Sequence, residues 1–171
     1  MLVSRLFSTI NSGYAVSALS VFKGSCYHKI DFKISEDSTA NNAVKRFAAF
    51  NIGCLAVTDK TNAVVGVLSE RDYMHKVSAL GRDDTTVKVK DICTYTPNII
   101  IAKKDDSIEQ CMNKMLFKDI RHLLIIDEIN NEVVGMISIK DLVKEVMKDK
   151  NDIITRLSDF KLGKGGYFGS D

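Results

Sequence analysis

The sequence predicts an α+β fold of two α-β-β-α repeats packed with pseudo-twofold symmetry. Three observations carry this expectation. The chain matches itself without a gap at a shift of 69 positions: Ser38 falls on Ser107, Lys45 on Lys114, Asn62 on Asn131, Val64-Val65-Gly66 on Val133-Val134-Gly135, Ser69 on Ser138 and Asp72 on Asp141. Within each copy the apolar pattern switches from helical to extended spacing and back. With 171 residues, 45% hydrophobic and 27% charged, the chain is long enough for one compact domain. It is too short to carry a separate catalytic domain as well.

The elements follow in order. Between Met1 and Ile30 there is no Asp or Glu, while seven serines and threonines accompany Arg5, Lys23 and Lys29. Such a bias is that of a mitochondrial transit peptide, with Arg5-Leu6-Phe7-Ser8 as a cleavage context, so residues 1–29 are read as a targeting segment or a flexible arm. The first repeat spans 30–87 and opens with a helix whose face carries Ala40, Ala43, Val44 and Phe47; the second spans 88–148 and opens with Ile108, Cys111, Met112, Met115 and Leu116. Ser107 and Gln110 bracket the start of that second helix as a capping box. Apolar runs at Gly53–Val57 and Leu123–Ile126, polar turns holding Asn62 or Asn131, and runs at Val64–Leu68 and Val133–Ile137 read as paired strands. A closing helix follows each pair, with Tyr73, Met74, Val77 and Leu80 on one face in the first copy and Leu142, Val143, Val146 and Met147 in the second. Residues 149–171 add a short amphipathic helix through Ile153, Ile154, Leu157 and Phe160 and a glycine-rich tail. Neither repeat buries its sheet alone, so the two pack together and leave a cleft between them as the natural ligand site.

Several function classes are disfavoured. The net charge of +2 comes from interspersed acids and bases, with no basic stripe for nucleic acid. Cys26, Cys54, Cys93 and Cys111 show no Cys-x-x-Cys pair and read as reduced, mostly buried thiols. His28, His75 and His122 are remote from one another, so no metal site is expected. No run approaches the length of a transmembrane helix. Gly163-Lys164-Gly165-Gly166 lacks the strand and the hydroxyl residue of a phosphate-binding loop. No nucleophile, base and orienting acid assemble, and catalysis is not expected.

The order helix, strand, turn, strand, ending in Gly66-Val67-Leu68-Ser69-Glu70-Arg71-Asp72 and Gly135-Met136-Ile137-Ser138-Ile139-Lys140-Asp141, resembles the CBS-domain pair over roughly Ile30–Lys148. Asn51-Ile52-Gly53, Ser69–Tyr73 and Gly165-Gly166-Tyr167 are most similar to the small mitochondrial stand-alone members. At each Gly-x-x-Ser-x-x-Asp a strand feeds a helix, a start that attracts phosphate near Ser69 or Ser138. Asp72 or Asp141, one turn on, can accept both hydroxyls of a ribose, and Gly66 or Gly135 leaves room for close approach. The resemblance implies serine on phosphate, aspartate on ribose, strand residues on adenine, and AMP, ADP or ATP as ligand. It also implies that Arg121 and His122 reach the phosphates across the cleft, with Arg71 and Lys140 adding charge. Asn51-Ile52-Gly53 offers no such base in the first repeat, so the two sites are expected to be unequal. Ser-x-x-Asp is equally a helix-capping pair, and duplication repeats a cap as faithfully as a binding site.

These readings point to a non-catalytic mitochondrial sensor, matrix or matrix-facing, that relays adenine-nucleotide state to a partner protein. It is expected either to form homodimers through Tyr73, Met74, Val77, Val143, Val146 and Met147 or to associate with a mitochondrial complex. Two rivals stand beside it: a structural accessory subunit of a respiratory assembly with a vestigial site, and a redox-linked regulator of a thioredoxin-type partner.

Overall fold

A computed structural model describes residues 16–130 and 132–161. In chain order its elements are α1 (Ala18–Gly24), β1 (Lys33–Ser35), α2 (Ala40–Phe50), β2 (Cys54–Thr58), β3 (Val64–Ser69), α3 (Glu70–Lys76), β4 (Thr94–Tyr95), β5 (Ile101–Lys103), α4 (Ile108–Phe117), β6 (His122–Asp127), β7 (Glu132–Ser138) and α5 (Ile139–Lys161). Both expected α-β-β-α blocks are present. Each gains a short parallel strand in front, β1 on β2 and β5 on β6, and the sheets run β1-β2-β3-β4 and β5-β6-β7. All five residues of β2 are buried, as its apolar run demands, and the buried residues of both sheets join one hydrophobic cluster.

The repeat contains a gap. Ile34 pairs with Val57 and Ala102 with Ile125, so the first halves of the copies correspond at a shift of 68. The turn between β6 and β7 is one residue longer than that between β2 and β3: Thr58 pairs with Val64, but Ile126 with Val133. Only beyond the turn does the shift become 69. Arg46, not Lys45, is therefore the counterpart of Lys114; Arg46 donates to the Lys33 carbonyl and Lys114 to the Ile101 carbonyl. Asn51 and Asp119, each at the end of its helix, correspond in the same way, with φ of 52° and 49°.

The segment ahead of each repeat crosses the other copy. In the linker, Val89 and Lys90 donate their N–H groups to the carbonyls of Ser38 and Glu36; in the N-terminal arm, Ala18 and Leu19 donate to those of Asp106 and Lys104. Lys88 bridges the α2 cap Thr39 as Ser17 bridges the α4 cap Ser107. The arm is thus integral to the fold, with Ala18, Val21, Phe22 and Tyr27 buried. Packing of the chain against both sheets begins at Ser17, ahead of the first repeat expected from Ile30. Residues 1–15 and the glycine-rich end lie outside the described residues.

At the other end, the closing helix of the second repeat and the expected separate amphipathic helix are one continuous element of 23 residues, α5. No glycine or proline interrupts Ile139–Lys161, so nothing in the sequence breaks it. No helix among the described residues is long and apolar enough to cross a membrane.

Candidate functional site

Two clefts open at the two strand-to-helix junctions. The first, of about 520 Å³, is lined by Ser69, Arg71 and Asp72 of the first repeat, by Lys118, Arg121 and His122 of the second, and by Thr94 and Pro97–Ile100 of the linker. Val67, Leu124 and Met136 supply apolar wall from both sheets. Its size falls within the range of small-molecule sites. The second, about 290 Å³, is lined by Ser138, Lys140 and Asp141, by Gly53 and Glu70, and by Cys26 and Tyr27 of the arm, with Arg121 and His122 at its border.

Both aspartates are engaged by their own helix starts. Asp72 Oδ2 accepts from the Ser69 N–H at 3.0 Å and the Ser69 hydroxyl at 2.6 Å; Asp141 Oδ2 accepts from the same groups of Ser138 at 2.8 and 2.6 Å. The capping reading of Ser-x-x-Asp therefore holds at both junctions. The further partners of the two carboxylates differ. Asp72 Oδ1 takes the Lys76 ammonium at 2.8 Å and still faces the first cleft. Asp141 is 8% exposed, and its Oδ2 also receives the Ser25 hydroxyl at 3.0 Å.

Gly66 and Gly135 line neither cleft, which corrects their assignment to ligand approach. A Cβ on Gly66 would stand 2.6 Å from the Thr94 carbonyl oxygen, and one on Gly135 would stand 2.7 to 2.9 Å from three ring carbons of Phe22. Each glycine makes room for the protein's own crossing segment.

The cations divide between the two clefts, Arg71 at the first and Lys140 at the second. Arg121 borders both clefts and has no ion pair among the described residues. Arg71 is tied to the carbonyl and carboxylate of Asp119, and Lys140 is exposed. His122 lies between the clefts with Tyr27 edge-on at 5.9 Å. Burial, then the Arg121 charge, push its imidazole down to about 4, so it is neutral near pH 7.

Residue-level reading missed Thr94, Ile99, Ile100 and Lys118 in the first cleft and Cys26 and Tyr27 in the second, with Ser25 beside it on Asp141. One signal was available: Ser25 and Thr94 are hydroxyl residues 69 positions apart. Cys54 and Cys111 are buried, which pushes their thiols up to about 12 and about 11, Cys93 is half-buried, and Cys26 is exposed. No metal-binding cluster occurs among the described residues.

A family model for the CBS domain matches residues 29–79 and 89–148. The chain is 32% identical over 133 residues to the mitochondrial CBS domain-containing protein CBSX3 of Arabidopsis thaliana, covering 77% of this chain and 63% of that protein. It is 31% identical over 111 residues to the inosine-5'-monophosphate dehydrogenase of Methanocaldococcus jannaschii, covering 65% of this chain and 21% of the enzyme. The chain thus spans less than two thirds of the length of these relatives. Among solved structures, a protein with CBS domains from Burkholderia ambifaria superposes with a TM-score of 0.70 at 27% identity, covering 78% of this chain and 95% of the other. A CBS domain protein of Pyrobaculum aerophilum complexed with AMP superposes at 0.57 and 26%, covering 64% and 80%.

Proposed function

The chain belongs to the CBS-domain family, and from that premise we propose that it is a non-catalytic regulatory module that binds an adenine nucleotide in its first cleft and relays that state to a partner protein. One observation carries the reading. The first cleft joins a ribose acceptor, Asp72, an unpaired cation from the other repeat, Arg121, and apolar walls from both sheets in one cavity. A ligand spanning Asp72 and Arg121 touches both repeats, so it can favour one packing of them over another through unequal affinity. The AMP complex of the Pyrobaculum aerophilum neighbour supports an adenylate as the class. Similarity to the Arabidopsis thaliana protein and the acid-free first thirty residues support a mitochondrial setting. Because the arm from Ser17 is folded into the domain, the address belongs to the residues before it.

The structural-subunit reading has its own support, since Asp72 is already satisfied by Ser69 and Lys76. Thermal unfolding with AMP, ADP and ATP separates the two. A nucleotide at 100 times its Kd is expected to add about 2.7 kcal/mol of stability. Asp72→Asn is expected to abolish that increment while the unliganded protein stays folded. No shift with any of the three in the unaltered protein overturns the sensor reading.

A further inference from the structure

The two clefts differ most in the segment that crosses them. The linker runs from Val89, which meets the Ser38 carbonyl, to Thr94 at the mouth of the first cleft. The arm covers the matching path from Ala18, which meets the Asp106 carbonyl, to Ser25, and takes two more residues to do so. Those residues turn a single 3-10 turn, Val89–Asp91, into the seven-residue α1.

The longer turn carries Phe22 onto β7, where its ring covers Gly135 and meets Phe32 edge-on at 6.3 Å. Three residues on, the Ser25 hydroxyl, 1% exposed, donates to Asp141 Oδ2. Two further on, the Tyr27 ring, 2% exposed, fills the space beside His122, and its buried hydroxyl finds no partner. In the first cleft, by contrast, Thr94 makes no bond to Asp72 and the wall stays open. A hydroxyl on the aspartate and aromatic rings against the sheet are the contacts a nucleoside would make.

We infer that the arm from Ser17 to Ile30 is a built-in occupant of the second cleft, its Ser25 and Tyr27 standing where a nucleoside would stand, so that the chain takes one nucleotide and displacement of the arm uncovers a second site. This rests on the nucleotide reading of the first cleft. It supplies what composition alone could not, the reason that duplicated Ser-x-x-Asp junctions do unequal work.

Isothermal titration of the full chain with AMP and with ATP tests it. One nucleotide per chain is expected for the unaltered protein. Ser25→Ala with Tyr27→Ala is expected to raise the stoichiometry to two, and adding Asp141→Asn should return it to one. Should the double variant fail to fold, Ser25→Ala alone is expected to remove the arm's bond to Asp141 and add a second, weaker phase. Two nucleotides per unaltered chain overturn the inference, as does a folded arm variant that still binds one. No binding by the unaltered chain overturns the nucleotide reading itself, and the inference with it.

Discussion

At the residue scale, the glycines show how a motif can be kept for a reason other than its ligand. Gly66 and Gly135 sit at equivalent places, and each faces a crossing segment, but one meets backbone and the other a side chain. The consequences of adding a methyl group therefore differ. Gly135→Ala is expected to cost about 1–3 kcal/mol by overpacking against the Phe22 ring. Part of that loss should be recovered with Phe22→Leu, because the pair shares one contact. Gly66→Ala meets the Thr94 carbonyl, which no side-chain exchange can move, so Phe22→Leu should leave its cost unchanged. Urea unfolding of the parent, the three single variants and the two double variants measures this; equal rescue of both glycine variants would refute the assignment.

At the element scale, the same comparison applies to the helix clamps. Arg46 and Lys114 each tie an opening helix to the strand before it, but their acidic partners differ: Asp31 is 71% exposed at its side chain, Asp106 only 8%. Removing Lys114 leaves Asp106 nearly buried, with the Lys103 N–H as its remaining donor. Lys114→Met is expected to cost about 2 kcal/mol, and Arg46→Met under about 1 kcal/mol, by chemical denaturation. The equivalence of these two residues was hidden in the sequence, because the gapless shift matched Lys114 to Lys45. The extra residue lies in a polar turn, where length leaves no trace in the apolar pattern. What periodicity could reveal was revealed: α2, β2, β3, α4, β6 and β7 stand within about a residue of where Phe47, Val57, Leu68, Met115 and Ile137 placed them. What it could not reveal were β1, β4 and β5, two or three residues long and defined by their partners, and α1, whose burial depends on a sheet more than a hundred residues away. The site divides similarly. Ser69 and Asp72 were legible because duplication exposes them, and Arg121 and His122 only through the family resemblance, since the first repeat has no counterpart to them; the crossing of the arm at the second cleft follows from a path length that no local pattern encodes.

At the scale of the whole molecule, the closing helices decide what the module can grip. Val77, expected at an interface, is 1% exposed and belongs to the core, covered where the chain turns back through Ser78–Leu80. Its counterpart Val146 is only half-buried, because α5 runs on instead of turning. Met74 and its counterpart Val143 remain 54% and 46% exposed, and on α5 the stripe continues through Met147 at 51% and Ile154 at 63%. Steps of four and seven residues keep Val143, Met147 and Ile154 on one helical face, and that face is uncovered among the described residues. A second copy would cover it symmetrically, the first of the two associations expected from the sequence. Light scattering is then expected to give the mass of two chains, and Met147→Lys with Ile154→Lys the mass of one. Because both positions are exposed in the single chain, the double variant should unfold within about 0.5 kcal/mol per site of the parent once it is compared as a monomer. A parent that runs as one chain at every concentration would refute the pairing of two copies through this stripe.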